Sequence, residues 1–189
     1  MSGKYRTIVA DPPWPYDDGF STQSKSREWR GPDHRTYLPY PSMTLDEIRA
    51  LPIAALADTD CRLFLWTTNR YLPQALSISA LWGFRYRQLL VWHKRDGNMG
   101  GSVAPSSAEF VIVATLGDPA RVSKMPSSVI ATAAPKKHST KPDIWLDYFE
   151  QVSPPPYVEL FARRHRLGWD VWGLESANTA TLVEATHAV

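Results

Sequence analysis

Residues 8–16 read IVADPPWPY, an apolar run that ends in a carboxylate, two prolines and a tryptophan. Ile8, Val9 and Ala10 have the character of the end of a buried strand. Pro12 has no N–H to give a sheet ladder, so the strand must stop at Asp11 and leave its carboxylate at the tip. Pro12 and Pro13 each fix φ and remove a backbone donor, which predicts a stiff segment whose carbonyls lack a local partner. Two readings are open at this point: a proline turn with Trp14 in the core, or a rigid acceptor site for a ligand.

Working outward, short apolar runs rich in β-branched and aromatic residues recur at 62–67 (RLFLWT), 89–93 (LLVWH), 110–115 (FVIVAT) and 157–162 (YVELFA). With residues 7–10 they read as strands buried on both faces. Helix signals lie between them. Thr44 and Glu47 form a capping box opening 44–51, and Pro73 opens 72–82 with Gly83 behind it. In 142–152, Ile144, Tyr148, Phe149 and Val152 share a core-facing stripe. The alternation predicts an α/β fold with a mostly parallel sheet and helices on both faces. Segments 17–39, 95–107 and 117–141 read as loops. Residues 1–175 are expected to form one domain, followed by a C-terminal tail over 176–189.

A chain of 189 residues with 43% hydrophobic content buries one substantial core. No run approaches a membrane span, and MSGKYRT at the start lacks a signal peptide's apolar region, so a cytoplasmic protein is expected. The lone Cys61 excludes an intramolecular disulfide and a cysteine-based zinc cluster, and no HExxH helix replaces it, so no metal is expected. A net charge of +2 is compatible with a nucleic-acid partner without requiring one. Local clusters say more: Lys25, Arg27, Arg30 and Arg35 in the first loop, and Lys136 and Lys137 in the third.

In an open α/β sheet, ligands bind beyond the carboxyl ends of the strands. That rule brings Asp11, Asn69, Arg70, Lys94 and the run Arg163 to Arg166 to one crevice. The set suits a ligand with a carboxylate or hydroxyls, a cationic centre and a flat base. Neither GxGxxG nor GxxxxGK[ST] occurs, which argues against dinucleotide and P-loop sites.

The ordered segments DPPW, LPYPSMTLDEI, LFLWTTNR, LWGF with LVWHK, HSTKPD, VELFARR and GWDVWGLE resemble the adenine-N6 methyltransferases of the DPPW type. This is the family of the messenger-RNA adenosine methyltransferase catalytic subunit, and the chain looks like one of its bacterial or phage members. The resemblance runs from Thr7 to Glu175. It implies a Rossmann-like methyltransferase fold in permuted order, with the catalytic strand first. It also implies S-adenosylmethionine as cofactor and N6 of adenine in nucleic acid, DNA rather than RNA, as the methyl acceptor.

On that resemblance Asp11, Pro12, Pro13 and Trp14 are the catalytic residues. Asp11 and the Pro12 carbonyl accept the amine hydrogens, and Trp14 offers a face for the extruded base. Lys141, Phe161, Arg163, His165, Arg166 and Glu175 join Asp11 in holding the cofactor, while Tyr40, Asn69 and Lys94 join Trp14 at the substrate. Ala162, where some relatives have glycine, is expected to crowd the cofactor, and Leu174 replaces a polar ribose contact. A homodimer or a partner subunit is the expected source of further specificity, and no membrane is involved. The alternatives are an RNA adenine methyltransferase, a methyltransferase for another amine, and a non-catalytic nucleic-acid-binding relative.

Overall fold

Pro12 acts as its missing N–H requires: β1 covers Tyr5–Ala10 and ends just before Asp11. The computed structural model describes residues 5–15, 42–95, 103–135, 140–173 and 177–182. Among these, β1 joins β2 (Ala57–Thr67), β3 (Arg85–Lys94), β4 (Ala108–Leu116), β5 (Val129–Thr132), β6 (Tyr157–Leu160) and β7 (Trp169–Trp172) in one sheet. The spatial order is β5-β3-β4-β2-β1-β6-β7. β1 pairs in parallel with β2 on one side and β6 on the other, so the chain's direction of winding reverses at β1. Only β4 runs against its neighbours β2 and β3. Its first residues therefore lie at the edge where the other strands end, with Glu109 opposite Trp92 and Phe110 opposite Thr67.

Both faces of the sheet are covered, as continuous apolar strands require. Ile8, Ala10, Leu63 and Leu65 pack with Ile48 of α1 (Leu45–Arg49), Ile53 of α2 (Ile53–Leu56) and Ile78 of α3 (Leu72–Leu81). The alternate residues Val9, Phe64 and Trp66 face the other way, against Trp145, Leu146 and Phe149 of α4 (Ile144–Val152). Phe64 stacks on Phe149 with ring centroids 4.0 Å apart, and Trp66 meets Trp145 edge-on at 5.1 Å. Burying one such ring contributes about 1.5–3 kcal/mol, so this layer anchors α4 to the sheet.

The Thr44 capping box is present: the Glu47 N–H donates to the Thr44 hydroxyl, and the Glu47 carboxylate accepts from the Thr44 N–H. The helix it opens ends at Arg49, because Pro52 cannot continue the ladder, and α2 begins separately at Ile53. On α4 the expected stripe is one position off. Phe149 and Val152 are buried, but Trp145 and Leu146 join them, while Ile144 is 37% exposed. Two strands emerge from segments read as irregular or left unassigned. β5 lies inside 117–141 and is held in parallel along β3, and β7 is WDVW, with Trp169 stacked 4.7 Å from Tyr157. Four-residue strands on a sheet's edges carry too little pattern to stand out. Beyond the expected domain end, Thr179 and Ala180 donate their N–H groups to the Val171 carbonyl. Among the described residues no helix is long and apolar enough to cross a membrane, and no cluster of potential metal ligands occurs.

Candidate active site

The strand order brings the end of β1 beside the end of β6, and a pocket of about 150 Å³ opens there. Asp11 follows β1, Trp66 is the last but one residue of β2, Thr140, Lys141 and Pro142 lead into α4, and Glu159, Phe161 and Arg163 come from β6 and the turn after it. Phe161 has φ +64°, a left-handed conformation that costs a non-glycine residue about 1–3 kcal/mol. Edge-on contact with Trp172 at 5.3 Å and a bond from the Ala162 N–H to the Trp172 carbonyl (3.0 Å) hold it there.

Four charges form a chain beside the pocket. Lys141 Nζ lies 2.9 Å from Asp11 Oδ2 and 3.0 Å from Glu109 Oε2, and Lys94 pairs with the other oxygen of Glu109. The two ammonium groups also lie over indole rings, Lys141 over Trp66 at 5.1 Å and Lys94 over Trp92 at 5.0 Å. All four side chains are 14–25% exposed, so each charge depends more on its partners than on water. Burial pushes the Asp11 carboxyl above the usual carboxylate range against the pull of Lys141. Burial alone would also raise Glu109, but Lys141 and Lys94 together hold it below that range. Burial disfavours the Lys141 charge, yet Asp11 and Glu109 raise its pKa above the ordinary lysine value. The chain of ion pairs fixes the Asp11 carboxyl in place.

The opposite wall is unfinished. Thr140 Oγ1, Trp145 Nε1 and Glu159 Oε2 are buried without a hydrogen-bond partner, and all three residues line the pocket. Buried polar groups are almost always paired, so three orphans around one cavity indicate a polar ligand. Burial, reinforced by the negative charge of Asp11, pushes the Glu159 carboxyl up to about 7 from an ordinary 4.5. A carboxyl raised on folding makes the protein lose stability as the pH rises from its unfolded value towards its folded one. That interval corresponds to a charge penalty of up to about 3 kcal/mol, fully present above neutrality. Glu159→Gln is therefore expected to melt higher than the wild type above pH 7 and close to it near pH 5. Melting curves across that range check this, and a constant offset at every pH would remove Glu159 as the titrating group.

Several expected site residues have other duties. The Pro12 carbonyl has a local partner after all, the Trp14 N–H, and the Pro13 carbonyl, which has none nearby in the chain, accepts from the Met43 N–H, both at 2.9 Å. Each still has its second lone pair. Trp14 is not an open stacking platform. It is 3% exposed, lies against Tyr71 with centroids 5.5 Å apart and planes 12° apart, and donates its indole N–H to the Trp66 carbonyl at 3.1 Å. It pins the proline turn to the end of β2. Lys94 is engaged with Glu109. Asn69 is exposed on a short 3₁₀ turn (Asn69–Tyr71) and does not line the pocket. Arg163 lines it, whereas His165 is exposed away from it. Arg166 turns to α4, where it binds Glu150 and Asp147, because three carboxylate oxygens are available there. Ala162 is 1% exposed and does not line the pocket. Tyr40 and Glu175 lie outside the described residues, as do Leu174 and the basic positions Lys25, Arg27, Arg30, Arg35, Lys136 and Lys137.

Sequence reasoning missed Glu109 and Glu159. The signal was present: each is a carboxylate in or against an otherwise apolar strand, where an unpaired charge is too costly to be idle.

Comparison with known proteins adds the following. The family model described as MT-A70 matches residues 5–175. The Type II methyltransferase M.MunI of Mycoplasma sp is 32% identical over 188 residues, covering 91% of this chain and 78% of that protein. The N(6)-adenosine-methyltransferase catalytic subunit METTL3 of Homo sapiens is 29% identical over 174 residues, covering 87% of this chain and 27% of that protein. A probable N(6)-adenosine-methyltransferase MT-A70-like of Oryza sativa subsp. japonica is 32% identical over 178 residues, covering 88% of this chain and 22% of that protein. The chain thus spans most of the Mycoplasma relative and about a quarter of the two eukaryotic ones.

Proposed function

The chain belongs to the MT-A70 family, and from that premise we propose that it transfers a methyl group from S-adenosylmethionine to the exocyclic N6 amine of adenine in DNA. The observation that carries the reading is Asp11: a carboxylate at the tip of β1, fixed by Lys141 and open to a pocket with orphaned polar groups. Overlap with most of a Mycoplasma type II methyltransferase, against a quarter of the N(6)-adenosine-methyltransferases, favours the DNA-acting bacterial branch over the RNA-acting one.

The amine of adenine is a weak nucleophile because its lone pair is delocalised into the ring. It also carries two hydrogens that need acceptors. Asp11 accepts one, and the free lone pair of the Pro12 carbonyl accepts the other, which turns the nitrogen's own lone pair out of the ring plane. The rigid proline turn holds both acceptors before the base arrives, so little ordering remains at the moment of reaction. After transfer the nitrogen must lose a proton, and burial makes Asp11 a stronger proton acceptor than an ordinary carboxylate.

The pocket fits the cofactor's charge pattern. Arg163 and Lys141 suit its carboxylate, Glu159 and Asp11 its ammonium, and the orphaned Thr140 hydroxyl and Trp145 N–H further acceptors. Phe161 supplies an apolar wall. When bound, the cofactor supplies an electrophilic methyl on a sulfonium. A target base must leave the stack to reach Asp11, and the basic loops meet phosphates, which position the strand without reading its sequence. A second copy or a partner subunit would then read any long target.

The test is to incubate the protein with S-adenosylmethionine and single-stranded or duplex DNA and RNA, digest to nucleosides and look for products by mass. N6-methyladenine from DNA is the expected result, with a yield that falls steeply with salt. Product from RNA alone would move the enzyme to the other branch, and N4-methylcytosine would reassign the amine.

A further inference from the structure

The turn between β6 and β7 carries four basic residues in a row, Arg163 to Arg166, and they divide their work. Arg163 and Arg164 line the pocket, and Arg164 also pairs with Asp143. Arg166 grips Glu150 with two parallel bonds, Nε to Oε1 and an Nη to Oε2, both 2.8 Å, and reaches Asp147 at 2.7 Å. Glu150 Oε1 also accepts the Trp169 indole N–H at 2.6 Å. Asp143, Asp147 and Glu150 lie four and three residues apart, which places them on one side of α4 and its approach. Arg166 holds the Glu150 carboxyl below the usual range, and Glu150 with Asp147 raises the Arg166 pKa further.

We infer that this arginine–carboxylate clamp is a positioning device for the cofactor pocket, with Arg166 and Glu150 at its centre and neither touching the ligand. The inference rests on the S-adenosylmethionine reading above. Its physical basis is the placement of the pocket's cations on two separate elements. Three cations line the pocket, Lys141 just before α4 and Arg163 and Arg164 on the turn, so their spacing depends on how the turn is held against the helix. The elements that carry them are joined by the clamp, which spans from α4 and its approach to the turn at residues 143, 147 and 150 on one side and 164, 166 and 169 on the other. At the start of the turn, Gly173 permits close packing: a Cβ there would lie 2.3 Å from the Ala162 carbonyl oxygen. The turn is thus held at both ends, and Arg163 has its place between the fixed points. A bidentate arginine fixes direction as well as distance, which a lysine does not.

Arg166→Ala and Glu150→Gln are therefore expected to weaken S-adenosylmethionine binding, read by calorimetry, about five- to twentyfold each. The double variant should be no weaker than the poorer single one, because each change opens the same clamp. In turnover the KM for the cofactor should rise while kcat at saturating cofactor and the KM for DNA stay within twofold. Arg166→Lys, which keeps the charge and loses the fork, should fall between wild type and Arg166→Ala. A purely structural role would lower kcat and the folded fraction together, and an arginine touching the ligand would make the double variant worse than either single one. Either outcome overturns the clamp, as does unchanged cofactor affinity in both single variants. Absence of cofactor binding by the wild type would instead refute the reading on which the clamp rests.

Discussion

Asp11→Ala is expected to lower methyl transfer by about 10²–10³-fold, the loss seen when one pre-aimed polar group is removed from a reacting centre. The expectation follows from geometry. Asp11 stands at the end of β1, its carboxylate is held 2.9 Å from Lys141, and the rigid proline turn fixes the backbone behind it. Alanine removes the acceptor for one amine hydrogen and the base for the proton that leaves, while Lys141 keeps Glu109 as a partner. The loss should therefore fall on kcat, with the fold intact by circular dichroism. Asp11→Asn separates the two roles, since its amide oxygen still accepts a hydrogen bond but takes no proton at neutral pH. Single-turnover rates decide the matter, and a rate within tenfold of wild type for Asp11→Ala would remove Asp11 from the reaction.

Lys141→Met is expected to be the most damaging single change to stability. It leaves Asp11 and Glu109 without the cation between them, and Lys94 then serves Glu109 alone. Removing one partner from a buried ion pair costs about 3–5 kcal/mol, and the residual exposure of these side chains argues for the lower end. The sign of its pH dependence is specific. In the wild type, Glu109 is held below its usual range, so its contribution is present at neutral pH and is lost as the pH falls through that depressed value. In the variant Asp11, already raised by burial, loses the cation that opposes that rise and Glu109 loses one of its two, so the folded state takes up protons more readily and the penalty is relieved as the pH falls. The two melting curves should accordingly be far apart near pH 8 and converge towards pH 5. A gap that stays constant would mean that the lysine contributes packing rather than charge.

The long strands announced themselves, because β2, β3 and β4 contain continuous apolar runs that few other structures accommodate. The strand end at Ala10 was legible from the chemistry of Pro12 alone. What stayed hidden depends on partners distant in the chain. β5 and β7 are four residues each and exist because β3 and β6 lie beside them. The burial of Trp14 depends on Tyr71 and on the Trp66 carbonyl, which the sequence places 57 and 52 residues away. Glu109 reaches the site because β4 runs backwards, and no local pattern encodes a strand's direction. Arg163 was already placed in the crevice by the rule that ligands bind beyond strand ends, whereas Lys141 was named on the strength of a resemblance. Two carboxylates enclose Lys141, so it is not a solvated surface charge.

The place of β1 between β2 and β6 has a consequence for how the protein is made. β1 leaves the ribosome well before β6, which spans Tyr157–Leu160, whereas β2 follows closely enough to join it early. Until β6 has been synthesised, one edge of β1, an interior strand of the sheet, has no partner. At about 5–20 residues per second the wait is on the order of ten seconds. During it the nascent chain exposes an apolar edge that neighbouring chains can pair with, the usual target of chaperones that bind near the tunnel exit. Fragments ending before residue 157 should therefore be sticky as well as inert, and the reactive carboxylate is assembled only when the last third of the fold closes over it.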